Sequence, residues 1–125
     1  MAVLHNFYTI NLIEEKTENS YNVLIELNKN HTIFEGHFPG NPVTPGVCMI
    51  QIVKELVEEI TQKKWQLKKL SNVKFMAIIN PEEHPNLHIS LDIHKVDNQL
   101  KVKSIAAYEE VVALKLSAEF ENSTR

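Results

Sequence analysis

Apolar residues recur at every second position in three parts of the chain and at every third or fourth position in one, and this contrast lays out the elements. Tyr21, Val23, Ile25 and Leu27 alternate with Asn22, Leu24 and Glu26, which predicts a strand over 21–27. Leu87, Ile89, Leu91 and Ile93 alternate with His88, Ser90, Asp92 and His94, the pattern of a strand with one buried and one wet face. Leu114, Leu116, Ala118 and Phe120 repeat it against Lys115, Ser117, Glu119 and Glu121. Between the first strand and the later ones, Met49, Ile50, Val53, Leu56, Val57 and Ile60 form one stripe of a helix over 47–62, about four turns long. Lys54, Glu55, Glu58 and Glu59 lie off that stripe. Pro45 stands just before the helix, where its missing N–H costs nothing. Leu67 to Met76 predicts a further, less regular strand, and Asp97 with Asn98 suits a tight hairpin turn. Strands, one long helix and then three or four antiparallel strands make an α+β domain, with the helix lying on an antiparallel sheet.

Composition narrows the function classes. The 125 residues are 43% apolar and 23% charged, which suits one globular domain, expected over 1–121 with a frayed tail at 122–125. A net charge of -3 gives neither the basic face a nucleic acid needs nor a polybasic patch for an anionic membrane. The single cysteine, Cys48, makes no internal disulfide and holds no zinc alone; it suits a small apolar core position. No basic start followed by an apolar run opens the chain, and no apolar stretch reaches the length of a membrane span, so a cytoplasmic protein is expected. His84, His88 and His94 invite a metal, but His88 and His94 lie about 20 Å apart along a straight strand, too far to share an ion.

The chemistry concentrates in the loop that leads into the helix. Gly36, Gly40 and Gly46, the only glycines, fall within eleven residues, with Pro39, Pro42 and Pro45 among them. At the end of this run Gly46 and Val47 offer backbone N–H groups at a helix N-terminus, where a developing oxyanion finds donors and a favourable dipole. His37 lies in the loop and is of a type suited to general-base work. Taken alone, such a histidine also serves as a structural hydrogen bonder.

The run Gly36-His37-Phe38-Pro39-Gly40-Asn41-Pro42-Val43-Thr44-Pro45-Gly46-Val47 resembles, over twelve positions, the active-site signature of the hot-dog-fold 3-hydroxyacyl-[acyl-carrier-protein] dehydratases of fatty-acid synthesis. Ser71 to Met76 falls where that family has a strand of similar character, and the resemblance extends over essentially the whole chain. It implies a long central helix wrapped by a curved antiparallel sheet, and a dimer with its active sites at the subunit interface. It also implies elimination of water from a (3R)-hydroxyacyl thioester on acyl carrier protein to give the trans-2-enoyl thioester, with no metal and no organic cofactor. In family terms His37 removes the α-proton, and the Gly46 N–H holds the thioester carbonyl as enolate charge develops. Phe38, Pro39, Gly40, Val47 and Glu55 would border the substrate. Met49, Ile50, Val53, Phe34 and Phe38 are candidate walls of an acyl tunnel, which core packing explains equally well.

The helix departs from the family pattern. The family's acid stands fourteen positions after the histidine, and that position here is Gln51, an amide that can hydrogen-bond a leaving hydroxyl but not protonate it. One turn later, where the family often has glutamine, this chain has Glu55, a neighbour of Gln51 on one helix face. Glu55 either supplies the acid from a deeper position or belongs to a solvated stripe with Glu58 and Glu59. Because the family's sites join the histidine of one subunit to the acid of the other, a third reading pairs this chain with a related, acid-bearing subunit as a heterodimer rather than a homodimer. A hot-dog acyl thioesterase and a non-catalytic acyl-carrier-binding subunit are the alternatives to a dehydratase. Trp65 with Lys63, Lys64, Lys68 and Lys69 forms a local basic patch, either a solubilising turn or a landing place for an acidic carrier protein.

Overall fold

Residues 5–36 and 42–123 are described by the computed structural model. Strands β1 (Tyr8–Thr17) and β2 (Ser20–Leu27) come first, and a 3-10 turn over Thr32–Gly36 leads towards helix α1 (Gly46–Thr61). Strands β3 (Trp65–Phe75), β4 (Asn86–Val96), β5 (Gln99–Tyr108) and β6 (Val111–Asn122) follow. All six strands join one antiparallel sheet in the order β1-β2-β4-β5-β6-β3, leaving β1 and β3 at its edges. One helix against one six-stranded antiparallel sheet is the hot-dog arrangement that the loop signature implies. Among the described residues no helix is long and apolar enough to cross a membrane.

Strand register explains the core. Val23 of β2 pairs with Ile89 of β4, Ile89 with Ala106 of β5, and Ala106 with Leu114 of β6, so four buried side chains form a row across the sheet. The next row runs Tyr21, Leu91, Ser104 and Leu116, and the one after it Ile93, Val102 and Ala118. A slip of one residue in any strand would turn its whole set to solvent, so this alternation fixes the pairing. Ser104 is the polar member of the buried rows, and its hydroxyl donates to Ser90 O at 2.8 Å. On the other face His88, Asp92, His94, Lys101 and Lys103 are exposed.

Against the inner face α1 buries Cys48, Met49, Ile52, Val53, Leu56 and Val57. The stripe is rotated from the expected one: Ile52 and Cys48 are fully within it, while Ile50 and Ile60 are only half-buried. Each large aliphatic side chain so buried contributes roughly 1.5–3 kcal/mol. The helix runs one residue earlier at both ends than its periodicity suggests, and Gln62 closes it in a left-handed conformation with its N–H on Glu58 O at 2.8 Å.

One expectation needs correction, and two strands gain detail. Trp65 is not part of a surface patch with its lysine neighbours; it is 4% exposed, and its indole N–H donates to Thr61 Oγ1 at 2.8 Å while its backbone N–H donates to Glu58 Oε2 at 2.9 Å. The strand at 67–76 is irregular for a physical reason, since its pairing with β6 shifts register between Leu67 and Lys69 and again between Leu70 and Asn72. The last strand includes Asn122, one residue beyond the expected domain boundary. Cys48 is buried, as its composition suggested, and burial pushes its thiol up.

Two measurements follow from this core. Ile52→Ala should lower the unfolding free energy by about 2–5 kcal/mol in urea titrations, because Ile52 is fully buried on the sheet-facing stripe. Burial and a raised thiol pKa leave little reactive thiolate at pH 7–8, so native Cys48 should react with iodoacetamide at least about tenfold more slowly than the urea-unfolded chain.

Candidate active site

The segment before α1 is extended, with Pro45 as its N-cap at φ -62° and ψ 144°, and no side chain caps the helix. The first helical bonds run from the N–H groups of Cys48 and Met49 to Pro45 O, at 3.0 and 3.3 Å. The amides of Gly46 and Val47 therefore precede the ladder and face outward at the positive end of the helix dipole. Thr44 ties the segment down, donating its N–H to Ile79 O at 2.9 Å. An apolar cavity of about 250 Å³ opens at this end, lined among others by Thr44, Gly46, Met49, Phe75, Ile79 and Ala113.

Gly46 lies in close contact with the ring of Phe75. A Cβ placed on Gly46 would lie 2.5 Å from Phe75 Cζ, so the ring stands directly over the first helical residue. Thr44 adds a polar atom to the same corner: its side chain is 7% exposed, and its Oγ1 has no hydrogen-bond partner among the described residues. Among the described residues, Met49 is the one expected tunnel residue that lines this cavity. Val53 lies in the core, Ile50 is half-buried, and Phe34 stacks on Phe7 with ring centroids 5.3 Å apart. His37, Phe38, Pro39 and Gly40 lie outside the described residues.

A second group forms along the helix flank. Gln51 Nε2 donates to Glu55 Oε2 at 3.0 Å, and the Tyr8 hydroxyl donates to Glu55 Oε1 at 2.8 Å. All three side chains are half-buried. Burial, then the hydrogen bond to Glu55 and the negative charges of Glu55, Glu59 and Glu58, push the Tyr8 hydroxyl up and keep it a neutral donor. Glu55 and Tyr8 line an open cavity of about 540 Å³ together with Ile10, Glu58, Gln62 and Lys63. Glu55 is thus no member of a solvated stripe, and neither is Glu58, which accepts from Lys54 Nζ at 3.0 Å and from the Trp65 amide. Of the three carboxylates only Glu59 is exposed.

At 1.5 Å per residue, Gln51 and Glu55 lie about 7 and 14 Å along the helix axis from Gly46, so α1 carries two separate clusters. Tyr8 and Phe75 belong to them without any sign of it in the sequence pattern, whereas Thr44 stands within the loop signature. Among the histidines, His84 stacks on Tyr108 at 4.1 Å and pairs with Glu109 at 2.9 Å, whereas His88 and His94 point to solvent. Among the described residues no three His, Cys, Asp or Glu side chains gather as a metal ion would require.

Comparisons with known proteins agree with this architecture. A family model described as ApeI-like, ApeI dehydratase, matches residues 13–115. A protein named 3-hydroxyacyl-[acyl-carrier-protein] dehydratase FabZ from Lactobacillus helveticus (strain DPC 4571) is 33% identical over 124 residues, covering 90% of this chain and 83% of its own. Its namesake from Pediococcus pentosaceus (strain ATCC 25745 / CCUG 21536 / LMG 10740 / 183-1w) is 32% identical over 117 residues, covering 85% and 78%. Among solved structures, the dehydratase heterocomplex ApeI:P from Xenorhabdus doucetiae superposes with a TM-score of 0.75 at 18% identity, over 91% of this chain and 97% of that one. With a family model spanning most of its length and relatives above 30% identity, the chain belongs to the ApeI-like dehydratase family.

Proposed function

We propose that the protein eliminates water from a (3R)-3-hydroxyacyl thioester carried on acyl carrier protein, giving the trans-2-enoyl thioester. The observation that carries this reading is the uncapped N-terminus of α1 at Gly46, within the last two residues of the twelve-residue signature and opening on an apolar cavity. His37 takes the α-proton. The Gly46 N–H, with the helix dipole behind it, stabilises the enolate oxygen that forms as the proton leaves. The acyl chain lies against Met49 and Phe75, and Phe38, Pro39, Gly40 and Val47 take part in binding the substrate. Gln51 holds the departing hydroxyl by hydrogen bonding, and Glu55 borders the same space. No metal and no organic cofactor takes part.

In line with the family resemblance, the site is assembled from two chains, with the loop and helix start of one protomer facing the helix flank of the other. A second reading has the same chemistry but a different partner. Because Gln51 carries no acidic proton, a related subunit with a carboxylic acid at that position would complete one site of a heterodimer. The heterocomplex among the structural neighbours is a precedent for such an assembly in this fold. A reducing, aqueous compartment suits the lone Cys48 thiol.

The test follows enoyl-thioester absorbance with a (3R)-3-hydroxybutyryl carrier protein. Native protein should turn over, His37→Ala should abolish turnover, and Gln51→Glu should raise it by about 10²–10⁴-fold, the usual worth of a general acid. Turnover by Gln51→Glu alone would favour the partner-dependent subunit; release of free thiol instead of enoyl product would mean a thioesterase and overturn the reading. Gly46→Ala should keep the fold to within about 1 kcal/mol, since Phe75 is an exposed side chain free to shift. It should nevertheless lower turnover by about 10²-fold, through the misplaced carbonyl.

A further inference from the structure

We propose that Glu55, held by Tyr8, is a positioning residue that sets which end of the Gln51 amide faces the departing hydroxyl; this rests on Gln51 standing in the site as described above. Both oxygens of the Glu55 carboxylate are occupied, Oε1 by the Tyr8 hydroxyl at 2.8 Å and Oε2 by Gln51 Nε2 at 3.0 Å. An ionised carboxylate only accepts, so a neighbouring amide must turn its nitrogen towards it. One N–H of Gln51 is thereby spent on Glu55, and the carbonyl oxygen is left on the side away from it. The amide offers the substrate one defined arrangement of donor and acceptor in place of two interchangeable ones.

Both contacts to Glu55 are hydrogen bonds donated to it, so the geometry gives Glu55 the part of an acceptor that holds the amide. Tyr8 is not the proton donor, because its hydroxyl proton is committed to Glu55 and burial among Glu55, Glu59 and Glu58 opposes its loss. What Tyr8 supplies is reach. It comes from the edge strand β1, 47 residues away in sequence, and fixes the carboxylate from the side opposite Gln51. Lys54, the nearest helix cation, is paired with Glu58 instead. The exchange of a helix acid and amide, relative to the family order, thus yields an oriented amide backed by a carboxylate and a phenol.

A double-mutant cycle tests this on the full-length protein with the carrier-protein substrate. Glu55→Gln should lower kcat by about 10–10²-fold, and Tyr8→Phe by about 3–10-fold, with KM in both cases within about twofold of native. In a Gln51→Ala background both further losses should vanish, because nothing remains to be oriented. Losses that persist undiminished in that background would overturn the proposal and make Glu55 a proton donor or a purely structural residue. A Gln51→Ala protein as active as native would instead remove Gln51 from the site, and the proposal with it. A readout independent of turnover is solvent exchange of the Gln51 side-chain amide by ¹⁵N NMR, assigned by its disappearance in Gln51→Ala. It should be slow in the native protein and about tenfold faster in Glu55→Gln. A native amide exchanging like a freely solvated glutamine would overturn the positioning role even with Gln51 essential for turnover.

Discussion

The burial of one face of α1 against the inner face of the sheet decides where everything else in the molecule goes. Met49, Ile52, Val53, Leu56 and Val57 are all but inaccessible, and the rows they meet are fixed by a register that no strand can slip without exposing its apolar set. Once those five side chains are seated, the helix has no freedom to rotate. A turn of one residue, about 100°, would bring Lys54 or Glu58 into the core. The direction in which Gly46 opens, and the flank on which Gln51 and Glu55 lie, are consequences of that packing.

The two clusters differ in electrostatic character. At the helix start, amide donors without intrahelical acceptors stand beside an apolar cavity, so a negatively charged oxygen placed there would meet fixed dipoles. On the flank, a carboxylate has drawn a phenol and an amide to itself, and its charge is already satisfied. The first arrangement favours enolate formation. The second can hold a hydroxyl but has no proton ready to hand to it. This asymmetry distinguishes the chain from the family order of acid and then amide, and it makes a second, acid-bearing subunit a chemically sensible partner.

Much of the fold is legible in the sequence because period-2 alternation and a burial-driven stripe are local signals. Strands β2 and β4 and the helix follow from them to within a residue or two, while β6 begins three residues before its alternation does. Strand β1 does not, because as an edge strand it is largely exposed on both faces, and Tyr8 to Thr17 therefore carries no alternation. Two register shifts hide the period of β3. Trp65 is misplaced by its neighbours: flanked by lysines in sequence, it folds inward because the indole seals the end of the core and finds Thr61. The site shows the same division. Gly46 and Gln51 stand out from spacing and from the loop signature, whereas Phe75 over Gly46 and Tyr8 on Glu55 are contacts between distant segments that no local pattern encodes.

In the proposed site the enolate-forming half keeps the family's base and amide donor while the proton-delivering half is altered, and exchange at the α-carbon measures the two halves separately. A (3R)-3-hydroxybutyryl carrier protein incubated with the native protein in D₂O should incorporate deuterium at C2 faster than it loses water, because enolate formation needs only the base and the Gly46 amide. In Gln51→Glu the two rates should converge. Water loss in the native protein that keeps pace with, or proceeds without, deuterium incorporation into recovered substrate would contradict the account.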